Sequence, residues 1–340
     1  MESDLETGGG SLSVSGLYSI VARTYKMEEI MGKKKKKRIT WVELKQYIPL
    51  YVMLLPACIY FFINNYIPMP GIIVAFKKYS KRKGIYGSDW NGLDNFQYLF
   101  KSDAGLIIRN TLLYNIVFII LGMVVGVALA ILITDVYSKK MKKLYQSVIL
   151  LPFLISIVIV SYIVFAFLSA ENGMINNSII KPLSGTGIQW YSEPKYWPFI
   201  LTFVNLWKGC GYGTLIYIAG IAGIDPSLYE AAKLDGASRW QQITNVTLPS
   251  LVPALITMLM LSIGRIFCSD FGLFYQVPQN SGALFSTTQT IDTYVYRSLM
   301  SNGGIGRSAA AGFLQSVVGF ALVMTANALV RKISKENAMF

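Results

Sequence analysis

Long uncharged windows separated by short polar ones fill the chain from residue 46 onward. A bilayer's hydrocarbon core, about 30 Å thick, is crossed by about 20 helical residues. Asn110 to Thr134, Leu144 to Ala170 and Ser308 to Val330 are long enough and carry no Asp, Glu, Lys or Arg. Gln46 to Phe76 joins them, although Pro49, Pro56, Pro68 and Pro70 predict irregular ends or a kink. Trp197 to Gly220 is interrupted by Lys208, and Leu248 to Phe271 carries Arg265. The pattern predicts an all-α membrane protein with six crossing helices in residues 47–340. Residues 1–46 are polar, basic and without an apolar core of signal-peptide length, and so predict a largely disordered cytoplasmic segment. Met1, Met27 and Met31 each offer a translation start.

The polar stretches between the windows differ in kind. Gly87 to Phe100 mixes turn residues with aromatics, as an interfacial segment does. Glu171 to Trp197 reads as an outer loop with one amphipathic turn, and Gln276 to Ser308 as an outward-facing polar segment. The loop between the fourth and fifth windows is the most distinctive. Ser227 and Glu230 have the spacing of a capping box, Leu228, Ala231, Ala232 and Leu234 form a short apolar stripe, and Gly236 supplies a left-handed stop. A helix of about 226–237 follows, too short to be stable alone in water. Physics leaves two readings open: it packs back on its own bundle, or it inserts into a groove of a soluble partner.

Composition sharpens the membrane reading: 53% of residues are hydrophobic, 14% are charged, and the mean hydropathy is +0.46. A soluble domain carries about 25% charged residues. The net charge of +13 is concentrated in Lys33 to Arg38, in Ser138 to Lys143, and in Arg331, Lys332 and Lys335. Placing all three inside gives cytoplasmic N- and C-termini, consistent with an even number of spans. Lys77, Lys78, Lys81, Arg82 and Lys83 contradict this rule, since they fall on the outer side. The basic run before the first window reads as a topology anchor touching anionic membrane lipid, not as a nucleic-acid site.

The chain has no histidine, and Cys58, Cys210 and Cys268 lie singly inside predicted spans. These features predict no metal, no cofactor and no catalytic set. An ion-coupled secondary transporter is the alternative carrier class, but its proton relay needs carboxylates or histidines at depth, and the Asn110, Leu144 and Ser308 windows hold none.

Tyr229 to Pro249, YEAAKLDGASRWQQITNVTLP, resembles the EAA motif of permease subunits of ABC importers, with Glu230, Ala231, Ala232, Asp235, Gly236 and Thr247 to Pro249 in register. The flanking stretches before the loop and at Ser286 to Leu299 resemble the branch that carries oligosaccharides and polysaccharide fragments. The resemblance runs from about Tyr47 to the C-terminus. It implies the type I ABC importer permease fold in the cytoplasmic membrane of a bacterium. It implies as partners a second permease subunit, two copies of an ATP-binding cassette subunit and an extracellular solute-binding protein. ATP and magnesium would be held by the cassette subunits, in keeping with the lack of a G-x-x-x-x-G-K-[ST] loop here. Ser227, Glu230, Ala231, Ala232, Asp235 and Gly236 would then form a coupling helix seated on the ATPase.

The register of the maltose importer's sugar-contacting permease subunit carries the resemblance further. It implies a sugar pathway at Asn205, Lys208, Gly209, Tyr212, Ser262, Arg265, Ile266 and Ser269. A charge at bilayer depth is expected to face a watery cavity, a partner or, by snorkelling, an interface. Lys208, Arg265 and Ile266 depart from a maltose-like lining, and the two cations suggest an oligosaccharide bearing carboxylates. Pairing of both cations with the second permease subunit or with sugar hydroxyls is the other reading.

Overall fold

The computed structural model describes residues 45, 47–102, 104–301 and 304–333; the basic run Lys33 to Arg38 and the tail expected to be disordered lie outside them. Two compact units are present, one ending at Met69 and one beginning at Pro70. The first contains helix α1, Ile48–Phe61, which loosens into a π turn at Phe62–Tyr66. A 3-10 stretch at Met69–Phe76 leads into the second unit. The irregular end foreseen from the prolines is thus observed.

The second unit opens with a small hairpin, β1 (Lys77–Ser80) antiparallel to β2 (Ser88–Trp90), then helix α2 (Asp94–Ser102). This hairpin departs from an all-helical reading and accounts for part of the anomalous basic patch. Lys77 is buried, with Nζ donating to the carbonyls of Ile85 and Tyr86 at 3.2 and 2.7 Å, and Lys83 pairs with Asp89 at 2.8 Å. That ammonium holds the exposed Asp89 carboxyl below the usual carboxylate range. Lys78, Lys81 and Arg82 remain exposed.

The frame is helical: α3 (Ala104–Asp135), α4 (Lys139–Leu154), α5 (Ile157–Leu168), α6 (Trp197–Ala222), α7 (Pro226–Leu234), α8 (Leu248–Ile263), α9 (Phe271–Gln276), α10 (Ile291–Met300) and α11 (Ile305–Ile333). Among the described residues, four stretches are long and apolar enough to cross a membrane: Ile48–Phe76, Ala104–Asp135, Arg239–Ile263 and Ile305–Lys332. Helices α4 and α5 together could make a fifth. Helix α6 is as long, at 26 residues, but Asn205, Lys208 and its glycines dilute its apolar character.

Two predicted spans are not simple rods. Leu144 to Ala170 was expected to cross as one helix, and it is instead bent by 93° between α4 and α5. Pro152 removes one backbone donor near the end of α4, Ile155 is extended, and Ser156 caps α5 by accepting from the Val158 N–H. The window Leu248 to Phe271 likewise unwinds after Ile263 and resumes only at α9.

Lipid is as apolar as a leucine side chain, so helices in a membrane associate by close packing more than by hydrophobic burial. The seam between α3 and α6 follows that rule. Near one end, Val127, Ala130, Tyr217, Ile221 and Leu251 form a buried cluster, with the Tyr217 ring lying over Gly126. Toward the other end, Tyr114, Val160, Trp197, Leu201, Leu273 and Phe274 form a second cluster. The Glu171 to Trp197 connection is pinned by fully buried Asn176, which donates to the Ile188 carbonyl at 2.8 Å and accepts from Trp190 Nε1 at 3.0 Å.

Helix α4 meets α6 where Gly211 faces the Ile149 carbonyl; a Cβ there would lie 2.1 Å from that oxygen. The neighbour is backbone and cannot swing aside. Gly211→Ala is therefore expected to destabilise the packed subunit by about 1–3 kcal/mol or more, read as a lower melting temperature in detergent. Gly213→Ala, with open space around the added methyl, serves as the control.

Candidate functional site

Two sites emerge, one at the short helix α7 and one at a cavity between α3, α6 and α8. Helix α7 starts at Pro226, which lacks the N–H that a first helical residue leaves unpaired anyway. Its cap is Asp225, which accepts from the Ser227 N–H at 2.9 Å. The capping box expected at Ser227 and Glu230 does not form, because Asp225 lies one residue before Pro226 and takes that role. The bond from Ser227 also holds the Asp225 carboxyl below its ordinary range. A complete box occurs one turn later, between Ser238 and Gln241.

The far end of α7 matches expectation. Gly236 has φ of +75°, its N–H donates to the Lys233 carbonyl at 3.1 Å, and the Ala237 N–H reaches back to Ala232 at 2.9 Å. These two bonds form a Schellman stop. Tyr229 Oη lies 2.9 Å from Thr247 Oγ1, and Arg239 reaches Asp135 at 3.6 Å, so the loop is tied to the ends of α3 and α8. Ser227, Glu230, Ala231, Asp235 and Gly236 are exposed and Ala232 is half-buried. Leu234 is 89% exposed and Trp240 72%, so no described part of the chain covers the apolar side of this loop.

The cavity encloses about 700 Å³. Asn205, Gly209, Tyr212, Ser262, Arg265 and Ser269, six of the eight residues expected on a sugar pathway, line it together. Asn115 and Gly122 of α3 and Asp270 complete its polar and open parts. Arg265 is exposed to this space, and its guanidinium has no hydrogen bond or ion pair to any described residue. The carboxylate of Asp270 is committed to capping α9, where Oδ1 accepts from the Leu273 N–H at 3.1 Å.

Ile266 is not among the lining residues, and Lys208, the eighth, is placed elsewhere. Its ammonium donates to the carbonyls of Ile155 at 2.6 Å, Phe153 at 3.0 Å and Pro152 at 3.5 Å, at the elbow between α4 and α5. These carbonyls lost their helical partners when the chain turned. Phe153 lies under the same ammonium at 5.8 Å and stacks on Tyr212 with centroids 5.2 Å apart. Lys208 thus holds the elbow beside the cavity, while Arg265 faces the cavity itself.

Sequence reasoning passed over the polar side chains that hold the Arg265 segment. Asn115 donates to the carbonyls of Ile266 and Cys268, both at 3.0 Å, and Gln315 to that of Phe267 at 3.2 Å. Asp292 accepts from the Ser269 N–H and hydroxyl at 2.5 and 2.8 Å. The available signal was an amide within each of two apolar windows, together with a carboxylate at the first turn of α10. Among the described residues no cluster of side chains suits a metal ion.

The chain matches the family described as binding-protein-dependent transport system inner membrane component over residues 119–335. It is 34% identical over 311 residues to the polygalacturonan/rhamnogalacturonan transport system permease protein YteP of Bacillus subtilis (strain 168), covering 91% of this chain and 96% of that protein. It is similar to one chain of the crystal structure of a bacterial ABC transporter involved in the import of the acidic polysaccharide alginate. The TM-score there is 0.78 at 34% identity, over 86% of this chain and 99% of that one. A second structure, the bacterial alginate ABC transporter in complex with alginate pentasaccharide-bound periplasmic protein, gives the same score and identity over 88% of this chain.

The elbow geometry makes a prediction that separates the two cations. Lys208→Met leaves the half-buried Ile155 carbonyl and that of exposed Phe153 without their charged donor, a loss of about 1.5–3 kcal/mol at most for each bond to a charged group. The melting temperature of the subunit should fall, and uptake of neutral and acidic sugars should fall in the same proportion. A change confined to acidic sugars, with stability intact, would return Lys208 to the sugar pathway.

Proposed function

From the premise that this chain belongs to the binding-protein-dependent transport system inner membrane component family, we propose that it carries acidic oligosaccharides across the bacterial cytoplasmic membrane. The family assigns it the role of a sugar-importing ABC permease, a multi-pass membrane protein and not an ion-coupled carrier. The substrate charge is our reading. The observation that carries it is Arg265: a guanidinium facing a cavity of about 700 Å³ and making no ion pair with a described residue. A cation at this depth is costly unless it meets water or an anion. Its planar fork fits a carboxylate through two parallel hydrogen bonds. The names of the similar permeases support the same chemistry, since galacturonan is a polymer of a uronic acid and alginate is an acidic polysaccharide. Tyr212 supplies a ring face, backed by Phe153, and Asn205, Ser262 and Ser269 supply hydrogen-bonding groups for the hydroxyls.

The rest of the assembly follows the family pattern. Six spans with both termini inside would place α7 on the cytoplasmic face. There its uncovered side, with Leu234 and Glu230, would seat in a groove of one of two ATP-hydrolysing subunits. The cavity would be closed by a second permease subunit and loaded by an extracellular solute-binding protein. ATP and magnesium belong to the hydrolysing subunits. Nucleotide-driven closure would rock the two permeases and turn the cavity from one side to the other. The basic run Lys33 to Arg38 would meet anionic lipid on the inner leaflet.

Two outcomes test this reading. Arg265→Gln should reduce uptake of an oligouronide by about tenfold or more, the effect of one charge-assisted pair, with little change for a neutral oligosaccharide of equal length; equal effects on both would exclude carboxylate recognition. Gly236→Leu forces a β-carbon into φ of +75° at the end of α7. Uptake and substrate-stimulated ATP hydrolysis should be lost while the subunit stays in the membrane, and normal uptake would remove α7 from coupling.

A further inference from the structure

The segment Gly264–Asp270 separates α8 from α9 and carries Arg265, Ser269 and Cys268 along the cavity wall. Irregular backbone at membrane depth persists only where protein or trapped water satisfies its polar groups. Local turns account for some of them: the N–H groups of Arg265, Ile266 and Cys268 reach the carbonyls of Ser262, Ile263 and Arg265 at 3.0, 3.1 and 2.9 Å. Four more are met by side chains from three other helices. Asn115 of α3 takes the carbonyls of Ile266 and Cys268, and Gln315 of α11 takes that of Phe267. Asp292 of α10 takes the N–H of Ser269.

Asp292 is the centre of this arrangement. Oδ2 accepts from the Ser269 N–H at 2.5 Å and from its hydroxyl at 2.8 Å, and Gln315 Nε2 approaches Oδ1 and Oδ2 at 3.2 and 3.4 Å. Thr290, the residue before α10, lies 2.7 Å from the Ser269 hydroxyl. Three donors converge on the two carboxyl oxygens, and bonds of this kind to a carboxylate are roughly twice as strong as those to a neutral acceptor. Because Gln315 donates both to the carboxylate and to the Phe267 carbonyl, the segment is held at two points by one connected network.

We propose that Asp292 is a positioning residue for substrate recognition: it fixes the unwound segment and thereby aims Arg265 into the cavity. The second half of this statement rests on the reading of the cavity as the sugar pathway; the first does not. Helix α10 also packs on α11 through the Ile291, Tyr294 and Ala311 cluster. The carboxylate therefore joins the recognition segment to the α10–α11 pair.

Cys268 is a built-in reporter, an exposed thiol on the segment and on the cavity wall. In the assembled transporter, with Cys58 and Cys210 replaced by alanine, the maleimide labelling rate of Cys268 measures how firmly the segment is held. Asp292→Asn should raise that rate about tenfold or more, the factor carried by one charge-assisted hydrogen bond. Asp292→Glu, which keeps the charge at a longer reach, should raise it less. Ser269→Ala, which keeps the backbone N–H but loses the hydroxyl, should fall between parent and Asp292→Asn. An unchanged rate in an intact Asp292→Asn complex overturns the proposal. In transport, Asp292→Asn should raise the KM for an oligouronide while leaving kcat within about twofold. Faster labelling with an unchanged KM would overturn the aiming role while the segment remained latched. Arg265→Gln run alongside separates the causes: if its oligouronide KM is also unchanged, the carboxylate reading of the cavity fails and the latch does not.

Discussion

No backbone N–H or carbonyl within a bilayer can be left without a partner, and this constraint governs how the chain builds a cavity. A straight helix satisfies itself and offers nothing to a substrate. An opened helix exposes polar groups and a bend, but each freed group must find a donor or acceptor in the protein. The fold opens its helices at two places beside the same cavity. At the α4–α5 elbow the ammonium of Lys208 covers the carbonyls of Ile155 and Phe153. At Gly264–Asp270 the same need is met by Asn115, Gln315 and Asp292.

This division gives the two intramembrane cations different work. Lys208 has a compact head with three donors on a flexible stem, and it is used where several carbonyls converge. Arg265 projects from an opened segment into a space bordered by Asn205, Tyr212 and Ser262 and pairs with no described acid. A permease for acidic sugars needs at least one such uncommitted cation, and it needs that cation held still. The fixed network around Asp292 supplies the second requirement. Helix α7 shows a related economy: it is capped at both ends, by Asp225 and by the Gly236 stop, yet leaves Leu234 uncovered.

Much of this was legible in the sequence because apolar runs and turn residues act locally. The uncharged windows located the long helices, Gly236 marked a left-handed stop, and the EAA pattern led to the family and to six residues that share one cavity. The failures share a cause except at Ser227: they depended on contacts distant along the chain. Ser227 looked like a cap because S-x-x-E spacing is a local rule, but Asp225 before Pro226 is the better-placed acceptor. The bend at Pro152 had a local signal, yet its sharpness depends on Lys208, more than fifty residues later. Lys208 itself looked like a sugar ligand because charge in a span signals a cavity, and only the elbow showed that backbone carbonyls can be the partner. Asp292 lay in a polar stretch where one carboxylate resembles any other until Ser269 is beside it.

The division of labour between Lys208 and Arg265 is most directly tested by a structure of the complete transporter trapped with an oligouronide, using a hydrolysis-deficient ATPase subunit, at a resolution that shows side chains. The account predicts a sugar carboxylate at about 2.7–2.9 Å from the Arg265 guanidinium, with the Lys208 ammonium still on the Ile155 carbonyl. A structure with Lys208 released to the sugar and Arg265 paired with an acid of the second permease subunit would contradict it.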